Sequence, residues 1–91
     1  MKPVVISDHA LFEMKRRQIP EEALREVALA PEQVVSSEKG RMIYQSRVSD
    51  SDSARQMLLR VIVEDHGDAL FVVTAYRTSK IEKYWKPEVE R

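Results

Sequence analysis

The sequence predicts a single α+β domain in the order βααββββα, with N-terminal helices and a short C-terminal helix packed on an antiparallel β-sheet. Three observations carry this expectation. Apolar residues recur at three- and four-residue spacing early in the chain, and from Gln33 the spacing drops to two. Two β-rich runs flank His66-Gly67, which has the form of a hairpin turn. Helices gathered ahead of a run of strands fit the α+β class, and the 91 residues support one core, because so short a chain removes only about 60–65% of its extended surface from water. The domain is therefore expected to span residues 1–91.

Val4-Val5-Ile6 reads as a first strand, ending at Ser7, a good helix N-cap. A helix follows over residues 8–18, with Ala10, Leu11 and Met14 on one face. Ile19-Pro20-Glu21 breaks it, and Pro20 opens a second helix with Leu24, Val27 and Ala28 as its stripe, closed by Ala30-Pro31. Val34-Val35, a Glu38-Lys39-Gly40 turn and Arg41 to Val48 form a hairpin. Ile43, Gln45 and Arg47 share one of its faces; Met42, Tyr44, Ser46 and Val48 share the other. Residues 49–55 are a polar and mobile connection.

Met57 to Asp65 and Asp68 to Arg77 then pair around a two-residue turn. With Asp65 facing Asp68, Val63 stands opposite Leu70, Val61 opposite Val72, Leu59 opposite Thr74 and Met57 opposite Tyr76. That register puts Arg60 and Arg77 on one face with Leu58, Ile62, Phe71 and Val73, their backbones roughly 13 Å apart. Ser79-Lys80-Ile81-Glu82 has the form of a capping box and opens a last helix presenting Ile81, Tyr84 and Trp85, with the tryptophan against the sheet and Pro87 as the stop.

Composition excludes several classes of function. Hydrophobic residues make up 43% and charged residues 33% of the chain, and no apolar run approaches the roughly 20 residues a bilayer requires. Val4-Val5-Ile6 is far short of the about 7–15 apolar residues of a secretory signal, so a cytoplasmic location without membrane contact is expected. The absence of cysteine removes disulfides, thiolate catalysis and thiolate-bound zinc. The two glycines, Gly40 and Gly67, both fall in turns, so neither a phosphate-cradling loop nor a dinucleotide fingerprint exists. Two histidines in separate elements give no metal-ligand spacing, and Asp50 with Asp52 lacks the glycine and distal glutamate of a calcium loop. No metal and no cofactor are expected.

Formal net charge is zero, which argues against binding nucleic acid through a whole-molecule field. Positive charge nonetheless gathers near the ends, in Lys15-Arg16-Arg17 and in Arg77, Lys80, Lys83 and Lys86. If the end helices meet on one side of the sheet, these form a basic patch; otherwise they are solvated helix faces.

Three blocks resemble the domain-of-unknown-function 4258 family of small bacterial and archaeal proteins, over Ile6 to Lys86. They are His9-Ala10-Leu11 with Met14-Lys15 and Arg17 before Ile19; Gly40-Arg41-Met42-Ile43-Tyr44; and Leu59 to Val63 leading to Val72 through Tyr84. That family looks like a relative of RelE- and BrnT-type toxins, whose fold sets N-terminal helices against an antiparallel sheet. The resemblance implies a ribonuclease that works without a metal and is held inactive by a partner antitoxin. The chain departs from the pattern at Glu13, where relatives carry Arg, at Gln18, where they carry Gly, and at Pro20, where they carry a capping Ser or Thr.

Cleavage of RNA by its 2′-hydroxyl needs a base, an acid and cations for the phosphorane charge. His9, in the first turn of its helix, fits either proton role or a packing role at the strand–helix junction. Arg60, interrupting an apolar strand, either pairs with a carboxylate such as Glu13 or faces a groove open to anions. Arg77 and Thr78 stand at the end of the last strand, where phosphate contacts are common, and Thr78 equally suits a turn. Tyr76 and Tyr44 could stack a base or donate a proton, although aromatics in strands fill the core more often. The ribonuclease expectation thus rests on His9, Arg60 and Arg77, with Lys15, Arg17, Tyr76, Thr78, Lys80 and Lys83 binding RNA. The alternatives are a non-catalytic module that binds RNA or protein, and a complex subunit with an exposed apolar patch around Trp85.

Overall fold

A computed structural model describes residues 2–50 and 54–87. Strand β1 (Val4–Ile6) leads into helices α1 (Asp8–Arg16) and α2 (Glu21–Leu29). Strands β2 (Gln33–Ser36), β3 (Met42–Ser49), β4 (Gln56–Asp65) and β5 (Leu70–Thr78) follow, and α3 (Ile81–Tyr84) is the last helix. The fold class is the α+β arrangement that the sequence predicts, with one refinement. The sheet is mixed, ordered β1-β5-β4-β3-β2, and β1 joins β5 in parallel while the other pairs are antiparallel. Because β1 and β2 lie at opposite edges, α1 and α2 carry the chain across one face of the sheet.

Ser7 caps α1 by accepting the Ala10 N–H at 3.0 Å. The helix ends earlier than residue 18. Ile19 N–H donates to Met14 C=O at 2.9 Å and Gln18 N–H to Lys15 C=O at 3.2 Å, a Schellman ending that sets Gln18 left-handed at φ 57°. Its apolar partners, Met14 and Ile19, are both buried. Ala10, Met14, Leu24, Val27 and Ala28 then pack on Leu59, Val61, Val63, Leu70, Val72 and Ala75. Leu11, expected in this stripe, is instead 37% exposed, and Phe12 lies on the outer surface too.

The β4–β5 register differs from expectation twice. The loop is longer than two residues: Asp65 pairs with Leu70, and His66 N–H donates to Ala69 C=O. The Asp65 carboxylate, held by Lys2 at 2.6 Å and accepting Gly67 N–H at 2.9 Å, turns the chain sideways here. A bulge follows, since Val63 faces Val72 while Ile62 faces Thr74, leaving Val73 as the extra residue. The first offset of two residues keeps every side chain on its predicted face; the bulge moves the rest of β5 to the other face. Arg77 therefore stands opposite Leu59 on the helix side, and Arg60 opposite Tyr76 on the other.

The second face carries a polar row. Gln33, Gln45, Arg60 and Tyr76 are direct cross-strand partners on β2, β3, β4 and β5, and Gln33, Gln45 and Arg60 are buried. The C-terminal segment, residues 79–87, covers them. The end helices thus sit on opposite faces, so the single basic patch expected from their meeting does not form. Ser79 does not cap α3. Lys80 occupies the N-cap position without a side-chain bond, and Thr78 Oγ1 accepts the Lys80 N–H at 3.0 Å in a local turn. Asp50 and Ala54 close the β3–β4 connection through Ala54 N–H to Asp50 C=O; residues 51–53 of the connection read as mobile, Asp52 among them, lie outside the described residues.

Two stability outcomes follow. Gln18→Gly is expected to stabilise the fold by about 0.5–1 kcal/mol, since a left-handed non-glycine residue costs about 1–2 kcal/mol and glycine's chain entropy offsets part of it. An unchanged or lowered urea midpoint would contradict this. Gln45→Leu is expected to destabilise by about 2–3 kcal/mol, because it strips a buried guanidinium of an acceptor and leaves neighbours unpaired; a loss below about 0.5 kcal/mol in the same titration would mean the row is not a unit.

Candidate functional site

Arg60 is the unusual residue of the second face. It is 7% exposed and has no carboxylate partner among the described residues. Its Nε donates to Gln45 Oε1 at 2.8 Å and its Nη1 to Tyr76 Oη at 2.6 Å. The Tyr84 ring lies 4.1 Å from the guanidinium carbon and the Tyr76 ring 5.7 Å. Gln45 Nε2 donates to Gln33 Oε1 at 2.7 Å and to Tyr84 C=O at 3.2 Å. Gln33 Nε2 donates to Lys86 C=O at 2.6 Å, and its Oε1 accepts Lys86 N–H at 3.1 Å. Neutral oxygens and ring faces thus compensate the charge, which is a weaker arrangement than an ion pair. Of the two alternatives for Arg60, pairing with Glu13 fails, because Glu13 lies on α1 across the sheet.

Several other cations are neutralised where they stand. Glu13 accepts from Arg16 at 2.8 Å and lies 3.6 Å from Arg17 and 3.9 Å from His9. The Arg16 hydrogen bond, ahead of the surrounding positive charge, holds the Glu13 carboxyl below its ordinary range, so it stays ionised into acid. Arg25 pairs with Glu21, Arg41 with Glu64, Arg47 with Glu32 and Lys2 with Asp65. The Arg47 hydrogen bond likewise lowers Glu32, that of His66 and then Arg41 lowers Glu64, and that of Lys2 lowers Asp65. Lys80, Lys83 and Lys86 have no carboxylate partner among the described residues; Lys83 Nζ sits 5.2 Å from the Tyr84 ring. A depression of about 450 Å³ runs along Ser79, Lys80, Ile81, Glu82 and Lys83.

The structure does not bring the three expected cleavage residues together. His9 is 66% exposed on α1 and across the sheet from Arg60. Arg77 shares the helix side with His9 but donates to Arg17 C=O at 2.8 Å, at the far end of α1, about 12 Å along the axis. There the guanidinium meets the negative end of the helix dipole. Arg17 is likewise committed, donating to Ala75 C=O at 2.8 Å and to Thr74 Oγ1 at 3.4 Å. Lys15 is exposed, Tyr76 is bound to Arg60, and Thr78 serves its turn. Tyr44 packs against the core, and Arg47 lies 4.3 Å over the Trp85 ring. His66, exposed as its turn position implies, bonds Glu64 at 3.1 Å and lies against Phe71.

Gln33, Gln45 and Tyr84 were not singled out as site residues from the sequence. The available signal was the interruption of three β-rich strands by Gln33, Gln45 and Arg60. No group of three or more His, Asp or Glu that could hold a metal occurs among the described residues, and no helix there is long and apolar enough to cross a membrane.

Comparison with curated proteins and with solved structures returns no match. The model of a family described as a domain of unknown function, DUF4258, matches residues 6–77. That span runs from Ile6, the last residue of β1, to Arg77 of β5, including Gln33, Gln45, Arg60 and Tyr76, and stops before the C-terminal segment that covers them. Matched over most of its length, the chain belongs to the DUF4258 family.

Proposed function

We propose that this protein is an RNA-binding domain that holds a single strand along its C-terminal segment, and that it binds without cutting. The observation that carries the reading is the row of Lys80, Lys83 and Lys86, three cations without carboxylate partners gathered on one short segment, while Lys2, Arg16, Arg17, Arg25, Arg41 and Arg47 are neutralised locally. A short run of positive charge beside a long shallow depression suits a chain of phosphates. The resemblance to RelE- and BrnT-type toxins agrees with RNA as the ligand. Separation of His9 from both arginines removes the acid–base geometry that cleavage would need, and so favours binding over turnover.

Binding of a fluorescein-labelled single-stranded oligouridylate, followed by anisotropy in EDTA, tests the reading. Affinity is expected to fall with salt. Lys80→Gln, Lys83→Gln and Lys86→Gln combined are expected to reduce the log–log slope by about 2, at about 0.7 for each cation on a single strand. His9→Ala is expected to bind as wild type, and the RNA to remain intact. No binding at low salt, or an unchanged slope in the triple variant, overturns the proposal; cleavage that disappears in His9→Ala replaces it with a ribonuclease.

A further inference from the structure

The buried guanidinium has capacity its neighbours do not use. Of its five N–H groups, one on Nε goes to Gln45 and one on Nη1 goes to Tyr76. Nη2 takes part in none of the hydrogen bonds of the described residues, yet no fully buried side-chain nitrogen or oxygen lacks a partner. Nη2 therefore reaches solvent and accounts for part of the 7% exposure of Arg60. An opening so narrow admits water but not a phosphate group, because the Tyr84 ring lies across the guanidinium at 4.1 Å.

What covers Arg60 is lightly attached. Helix α3 has four residues, too few to be stable by itself. Its segment is tied down by Gln33 and Gln45 through the backbone of Tyr84 and Lys86 and by rings over Arg60 and Arg47. The same segment carries Lys80, Lys83 and Lys86, and it lies beyond the residues matched by the family model, whereas the polar row beneath lies within them.

We propose that residues 79–87 are a strap over a phosphate seat on Arg60, and that single-stranded RNA, captured first by the strap lysines, lifts the strap and takes the guanidinium in place of the Tyr84 ring. The inference rests on the RNA-binding reading above. A phosphate oxygen pair would meet Nη2 and Nη1 together, giving a charge-assisted contact that the ring cannot match. Closure lowers affinity in proportion to the fraction of open protein.

Trp85, the only tryptophan of the chain, sits in the strap and reports its position. In the intact protein, saturating oligouridylate is expected to increase acrylamide quenching of Trp85, whereas direct covering of a fixed strap by RNA would decrease it. Tyr84→Ala is expected to tighten binding by about 3- to 10-fold, the gain available when an open state of about 10% becomes dominant. Tyr84→Phe keeps the ring and is expected to bind as wild type. Arg60→Lys placed in the Tyr84→Ala protein is expected to reverse the gain. Binding with unchanged or decreased quenching, or weaker binding by Tyr84→Ala, overturns the strap while leaving the lysine surface standing. Absence of any RNA binding overturns both.

Discussion

The guanidinium of Arg60, held inside a sheet without an anion, is the constraint around which the second face is arranged. A bare charge there would cost several kcal/mol, so every neighbour must offer an acceptor or a ring face. Gln45 supplies the first acceptor, and its amide, turned toward Arg60 by that bond, must then find a place for its own N–H groups. Gln33 and the Tyr84 carbonyl provide it. Gln33 in turn reaches the Lys86 backbone. One buried cation thus propagates a donor–acceptor order across four strands and ends by fixing the C-terminal segment. The hydrophobic cluster on the helix side imposes no such order and would tolerate exchange among residues of similar volume.

The helical half of the fold was legible because period and punctuation agree there. Ser7, Pro20 and Pro31 bracket two stripes that the structure buries almost as read, and Leu11 strays only because α1 turns its flank outward. The faces of β3 were legible as well, since Met42, Tyr44 and Val48 do pack toward the core and Gln45 with Arg47 does not. Alternation fails where it carries no punctuation. Phe71-Val72-Val73 is uniformly β-forming, so nothing marks Val73 as the residue that loses its cross-strand partner. Asp65 could equally have closed a tight turn; its capture by Lys2, over sixty residues earlier, is a tertiary fact.

Those two local events decide the candidate site. A loop longer by two residues keeps parity, and a one-residue bulge does not. Arg60 and Arg77, expected as a pair, are therefore split between faces and given different work. Arg77 and Arg17 bind α1 to β5 through carbonyl oxygens at the helix end, and Arg60 organises the opposite side. Burial of the row was illegible for a further reason: its cover is one short helix and an extended tail, without the periodicity that announces a packed layer.

Local neutralisation explains how a chain of zero net charge keeps a usable positive surface. Glu13 quenches Arg16 and Arg17 of the α1 cluster within about one helical turn. Lys80, Lys83 and Lys86 stay without a carboxylate partner among the described residues and fall within seven residues of one another, on the face opposite the helices. Fields from exposed charges decay within about 10 Å at ordinary ionic strength, so placement outweighs sum. A cation-bearing cover above a cation-bearing seat is a strained combination, because closing the strap brings Lys83 and Arg60 to the same tyrosine ring. On the reading proposed above, a polyanion would favour the open form only by contacting Arg60 directly, a contact that the closed strap denies it.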